Sequence, residues 1–129
     1  MIEVCAAVIR VKNKFLLTTR PEGSHLAGQW EFPGGKLKID ESHYECIVRE
    51  LYEELSLDVV PLDKLYTLKW SYLEKTVLLH FYRTLPVYIN EIKPKSNDGQ
   101  FIDFVSVNNL KNYDFVEADK VFVKYLCRE

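Results

Sequence analysis

The spacing of apolar residues divides the chain into strands and two helices. Residues 4–10 (VCAAVIR) form a small, β-branched apolar run, which reads as a buried strand. Lys12-Asn13-Lys14 makes a tight turn into a second strand over 15–20, so the chain opens with a hairpin. Residues 21–28 hold Pro, Gly and Ser and read as a loop; Trp30-Glu31-Phe32 is a short extended piece leading into Pro33-Gly34-Gly35. The spacing then shifts to threes and fours. Tyr44, Ile47, Val48, Leu51 and Leu55 share one stripe of a helix ending near residue 55. Asp40 and Ser42 are both candidate N-caps, and Ser42 with Glu45 would complete a capping box. Residues 59–65 are a connection that starts as a strand. Two long extended runs follow, 64–73 and 76–88, with Glu74-Lys75 between them. A polar loop over 92–99 leads to a last strand at 101–107, a connection at 110–113, and a terminal helix over 117–128. That helix is expected to turn Val121, Phe122, Tyr125 and Leu126 inward. Strands, helix, strands and helix in this order predict an α/β fold, a mixed sheet covered on both faces by helices.

Length and composition narrow the picture. The 129 residues suit a single domain spanning 1–129, and 47% hydrophobic with 28% charged residues is ordinary for a globular chain. A net charge of -2 supplies no basic field for a nucleic-acid backbone, so polymeric nucleic acid is not an expected partner. Cys5, Cys46 and Cys127 are odd in number and widely spaced, which reads as free thiols in a reducing compartment. No leader pattern or membrane-length apolar run is present, so the expected location is cytoplasmic, away from membranes. Monomer and homodimer remain equally open.

The candidate chemistry lies on the polar side of the first helix. Glu50, Glu53 and Glu54 are neighbours there, and like charges one turn apart repel by a few tenths of ~1 kcal/mol per pair. An acidic face by itself ordinarily only solvates a helix. Crowding without interleaved lysine gains a purpose if a hard divalent cation such as Mg²⁺ collects the carboxylates and leaves room for phosphates.

The surrounding spacing is more specific. Gly35 is followed after five residues by Glu41, then after seven by Arg49-Glu50, Leu51, Glu53-Glu54 and Leu57. This pattern resembles the Nudix box, departing from it only at Ser56, where the family has Gly. The resemblance extends to Arg20, to the loop holding His25, to Trp30-Glu31-Phe32-Pro33-Gly34-Gly35-Lys36, and to Val116-Glu117-Ala118-Asp119. Those stretches are similar to the MutT-like branch, including its CTP-pyrophosphohydrolase and 8-oxoguanine-directed members. The resemblance implies the Nudix fold. It also implies Mg²⁺- or Mn²⁺-dependent hydrolysis of a nucleoside or deoxynucleoside triphosphate to monophosphate and pyrophosphate. Two alternatives stay open: hydrolysis of ADP-ribose or a nucleotide sugar, and a nucleotide-binding module without turnover.

Carried over position by position, Glu50, Glu53 and Glu54 match metal-holding carboxylates, the Gly35 carbonyl matches a backbone ligand, and Arg49 matches the arginine that orients the glutamates. Lys36 would meet a phosphate or remain a surface lysine. Asp98 occupies the loop where relatives often place a further acidic ligand or base; a turn-forming Asp is the plainer reading. Ser56 is expected where a left-handed residue costs a non-glycine about 1–2 kcal/mol. Base recognition is assigned to Asp119, as a reader of amine-bearing bases. Arg20 is an expected pocket wall for a phosphate or base oxygen and Phe32 one for stacking, with core packing the commoner fate of such a Phe.

Overall fold

The structure is a computed structural model describing residues 1–128. Two four-stranded sheets carry the fold. The first has the order β5-β1-β7-β6, from β1 (Ile2–Val8), β5 (Gly34–Lys36), β6 (Val59–Ser71) and β7 (Thr76–Pro86). It is mixed: β1 and β7 run parallel, whereas β1–β5 and β6–β7 are antiparallel. The second contains β2 (Arg10–Val11), β3 (Lys14–Thr19), β4 (Trp30–Glu31) and β8 (Ile102–Ser106), with β3 between β8 and the β2 and β4 pairings.

The period of two along β1 sorts its side chains into two cores. Ala6 and Val8 join Phe32, Phe81 and Phe115 beside α2 (Glu117–Leu126). Cys5, Ala7 and Ile9 join Ile47, Leu51 and Leu55 of α1 (His43–Leu55). The expected helix-covered mixed sheet is therefore present, built as two sheets.

Several local expectations change for physical reasons. Gly34 and Gly35 lie within a strand, because the backbone of β5 pairs directly with β1; a Cβ on Gly34 would strike the Cys5 carbonyl. Residues 59–71 form one strand, with irregular pairing between Pro61 and Tyr66. An edge position accommodates both the missing proline N–H and the bulges. The connection after β8 is a 3-10 helix, Val107–Asn112.

On α1, Cys46 joins Ile47, Leu51 and Leu55 in the core, while Tyr44 and Val48 are exposed, so the buried stripe is narrower than the sequence suggested. The buried residues of α2 are Ala118, Asp119, Phe122 and Val123; Val121, Tyr125 and Leu126 are only partly covered. The stripe is rotated because the chain entering α2 is clamped onto β4. Trp30 N–H donates to Asp114 O at 2.8 Å, and Val116 N–H to Trp30 O at 3.0 Å. Among the described residues, no helix is long and apolar enough to cross a membrane.

Candidate active site

Helix α1 begins where its capping residues place it. Ser42 Oγ accepts from Glu45 N–H at 3.0 Å, and Glu45 Oε1 accepts from Ser42 N–H at 2.8 Å. Of the two candidate caps, Ser42 is the one used. From that start, Arg49 falls one turn from the acidic face and gathers it. Its Nε donates to Glu41 Oε2 at 2.6 Å and its Nη2 to Glu41 Oε1 at 2.9 Å, a two-pronged pair. The same guanidinium reaches Lys36 O at 3.0 Å, Glu50 Oε1 at 3.3 Å and Glu53 Oε1 at 3.1 Å. One planar fork thus ties β5, the turn before α1 and the acidic face together, a geometry that Lys could not reproduce. The bond to Arg49 pushes the Glu41 pKa down to about 2.

Gly35 has a second structural duty. A Cβ there would overlap the Glu50 carboxylate, so the glutamate lies across the bare backbone of β5. Glu50 is largely buried, with its pKa raised chiefly by lost solvation and held back by Arg49. Glu53 is half-exposed beside the same arginine. Lys36 is exposed at the rim of the cleft, with its carbonyl committed to Arg49.

The far end of α1 is closed by the 95–100 loop. Lys95 N–H donates to Leu55 O at 2.8 Å, Asn97 N–H to Glu54 O at 3.1 Å, and Asn97 Nδ2 to Glu53 O at 2.8 Å. These bonds satisfy carbonyls that a helix C-terminus otherwise leaves unpaired. Ser56 is left-handed, at φ 54°, and its Oγ accepts from Asn97 Nδ2 at 3.1 Å. That bond offsets part of the cost of a non-glycine residue there. Asn97→Ala is therefore expected to lower stability by about 1–2 kcal/mol in chemical denaturation, and an unchanged midpoint would deny the loop its capping role. The docked loop brings Asp98, itself exposed, near enough to raise the Glu54 pKa.

Beside this helix face lies a cleft lined by Arg20, Glu31, Phe32, Lys36, Tyr72 and Asp119, among others. Glu31 is the residue that reading the sequence missed. Alternation along Trp30-Glu31-Phe32 could have found it, since Phe32 turning into the core sends Glu31 the other way. Desolvation raises the Glu31 pKa to about 7 against the opposing Arg20, whose Nη1 lies 3.5 Å from Glu31 Oε2. Desolvation, then Glu50, Glu31 and Asp98, push Glu54 up to about 9. Arg20 also donates through Nε to His25 O at 3.1 Å.

Phe32 departs from its expected part. Its ring sits in an aromatic cluster with Phe15, Phe81, Phe115 and Phe122, stacked on Phe115 at 6.0 Å, and is 2% exposed. Its ring is core, and its contribution at the cleft is the backbone N–H, which donates to Asp119 Oδ2 at 2.9 Å. Asp119 is fully enclosed, and burial, with Glu31 adding to it, raises its pKa well above the ordinary carboxylate range. Across the cleft, Tyr72 Oη accepts from Ala118 N–H at 3.3 Å and its ring meets His25 edge-on at 5.2 Å.

A cluster of carboxylates in which the pKa values of Glu50 and Glu54 are raised, that of Glu54 to about 9, fits a hard divalent cation better than a softer ion. Glu50, Glu53, Glu54 and Asp98 are the carboxylates near the exposed face of α1, and the Gly35 carbonyl accepts from Cys46 Sγ at 3.6 Å.

The sequence matches the NUDIX domain family over residues 1–126. It is 53% identical over 58 residues to the CTP pyrophosphohydrolase of Escherichia coli strain K12, a match spanning 45% of this chain and 43% of that protein. It is 27% identical to the 8-oxo-dGTP diphosphatase of the same organism over 98% of this chain and 97% of that one. The solved MutT protein of Methanosarcina mazei Go1 superimposes with a TM-score of 0.84 at 29% identity, covering 96% of this chain and 91% of that chain. With its box, its fold and its relatives in agreement, the chain belongs to the Nudix family and is a hydrolase acting on pyrophosphate bonds.

Proposed function

We propose that this chain, acting as one domain, hydrolyses a nucleoside or deoxynucleoside triphosphate to the monophosphate and pyrophosphate with Mg²⁺ or Mn²⁺. The observation that carries the reading is Glu31 in the cleft, whose charge raises the proton affinity both of Glu54 on the acidic helix and of the buried Asp119. One side suits a metal-bound phosphate chain and the other suits a base.

Glu50, Glu53, Glu54, the Gly35 carbonyl and Asp98 would hold the cation. When bound, it neutralises phosphate charge and lowers the pKa of water at the reacting phosphorus. Arg49 orients Glu50 and Glu53. Lys36 and Arg20, both lining the cleft, offer positive charge to phosphate oxygens. Asp119 reads the base. A neutral carboxyl is both donor and acceptor. With Oδ2 already accepting from Phe32 N–H, it suits a base edge that sets an amine beside a ring nitrogen or carbonyl. Cytosine, guanine and 8-oxoguanine provide such edges, whereas uracil and thymine lack the amine. The names of the relatives, CTP pyrophosphohydrolase and 8-oxo-dGTP diphosphatase, support the same set.

The test is pyrophosphate release from CTP, dCTP, 5-methyl-dCTP, dGTP, 8-oxo-dGTP, UTP, dTTP, ADP-ribose and sugar nucleotides, with and without Mg²⁺. Metal-dependent turnover highest on an amine-bearing triphosphate is expected. Preference for ADP-ribose or a sugar nucleotide, or binding without turnover, would replace the reading.

A further inference from the structure

A second cluster of ligand-type side chains lies on the α1 face of the sheet, outside the cleft, and nothing in the nucleotide reading uses it. Glu3 of β1, His43 at the start of α1 and His80 of β7 bring one donor atom each to within 4.8 Å of one another. They meet because β1 and β7 are parallel neighbours with Cys5 opposite His80, and Glu3 shares the face of Cys5 two residues earlier. The first turn of α1 then sets His43 over His80, their ring centroids 4.1 Å apart and tilted by 37°. His80 is 5% exposed, with Nε2 2.8 Å from Glu3 Oε1. The Glu3 side chain is 41% exposed and opens the cluster to solvent.

The hydrogen bonds around the histidines are compatible with a free ligating nitrogen on His43. His43 Nδ1 lies 2.7 Å from Tyr82 Oη. With a proton on Nδ1 donated to Tyr82, the Nε2 lone pair of His43 is left free, the arrangement that a metal-ligating histidine usually shows. Burial, followed by His80 and Lys64, lowers the His43 pKa, which keeps the ring neutral near neutral pH.

We propose that Glu3, His43 and His80 form a cation site separate from the cleft, taking a borderline divalent transition ion such as Zn²⁺. Two imidazoles and one carboxylate are a donor set that such ions favour, and Mg²⁺ prefers oxygen alone. Three protein ligands leave a fourth position, past Glu3, for water. On binding through Nε2, the proton that His80 now directs at Glu3 moves to its Nδ1. Lys64, exposed and 3.1 Å from that Nδ1, turns outward to release it. The ion then joins β1 and β7 to the start of α1, the helix whose later turns carry Glu50, Glu53 and Glu54. His43 precedes Glu50 by seven residues, ~10 Å of helix rise, so the two cation sites share no ligand.

The experiment is equilibrium dialysis of the full chain against Zn²⁺ in excess Mg²⁺, with Co²⁺ as a spectroscopic probe. The parent protein is expected to retain one equivalent of Zn²⁺ and to show the strong visible bands of four-coordinate Co²⁺. His43→Gln, at a partly exposed helix start, should lose both and keep its circular dichroism. Tyr82→Phe should weaken Zn²⁺ by ~10–100-fold through its hold on His43, and Glu53→Gln should leave Zn²⁺ retention unchanged. No retained Zn²⁺ in the parent, retention unaltered by His43→Gln, or loss caused by Glu53→Gln would each overturn the site. None of these readouts depends on which nucleotide is hydrolysed.

Discussion

Glu54→Gln is expected to lower turnover at least ~100-fold, in the range for removing one electrostatic partner of a transition state, and yet to stabilise the metal-free protein. The two effects share one cause. Glu54 sits among Glu50, Glu31 and Asp98 with its pKa raised from 4.5 to about 9. A carboxyl whose folded-state pKa is raised favours the protonated fold. Its burden is absent below pH 4.5, grows as pH rises, and is complete above about 9. Glu31, raised to about 7, acts with the same sign over the lower part of that window. Glu41 acts oppositely: with its pKa depressed to about 2, its contribution is present above 4.5 and lost as pH falls toward 2. Thermal melts in chelator should therefore fall between pH 4.5 and 9 for the parent, and Glu54→Gln should flatten that fall. At the alkaline end the variant should melt at least ~3 °C higher, which is under 1 kcal/mol for a domain of this size. Mg²⁺ should raise the parent's melting temperature there more than the variant's, because only the parent offers the full carboxylate set. A variant with parental turnover, or one whose melting falls with pH as steeply as the parent's, would remove Glu54 from this account.

Asp119→Asn is expected to reorder the nucleotides rather than abolish activity. The asparagine carbonyl can keep the bond from Phe32 N–H, so the fold should persist. The free group at the cleft becomes an amide, which loses the carboxyl's ability to exchange its roles. A well-formed hydrogen-bonded base contact is worth about 1–3 kcal/mol of discrimination. The ratio of kcat/KM between the best amine-bearing triphosphate and UTP should thus change by roughly 10–100-fold. Asp119→Ala is the harsher change. It leaves the buried Phe32 N–H without a partner, a cost of about 1–3 kcal/mol, and should lower stability along with selectivity. An unchanged ranking in Asp119→Asn would show that the base is read elsewhere, with Glu31, Tyr72 and Arg20 among the polar groups lining the same cleft.

The acidic helix was legible because its signals are local. Ser42 and Glu45 declare the start, Leu51 and Leu55 the buried face, and Arg49 with Glu50, Glu53 and Glu54 the spacing of a known motif. The turn at Lys12 and Asn13 was equally plain, and both residues adopt positive φ, at 51° and 64°, but only Arg10 and Val11 pair across it with β3, while Ile2–Val8 joins the other sheet. Less legible were positions whose partner is remote in the chain. Phe32 reads as an aromatic available for stacking until four other phenylalanines close around it. Gly34 and Gly35 carry no strand signal of their own until β1 pairs with them. His43 and His80 lie 37 positions apart and carry no pattern between them.

The sequence by itself determined the helix that bears the carboxylates, the order of strands and helices along the chain, and the family to which the chain belongs, because periodicity, capping and motif spacing act over a few residues. Tertiary structure decided the rest. It turned Glu31 into the cleft and the Phe32 ring into the core, and it buried Asp119 in the first turn of α2. It also docked the 95–100 loop on the end of α1, placing Asp98 near Glu54. Each outcome depends on desolvation or on hydrogen bonds between residues far apart in the chain, and those quantities exist only after the sheets and helices have packed.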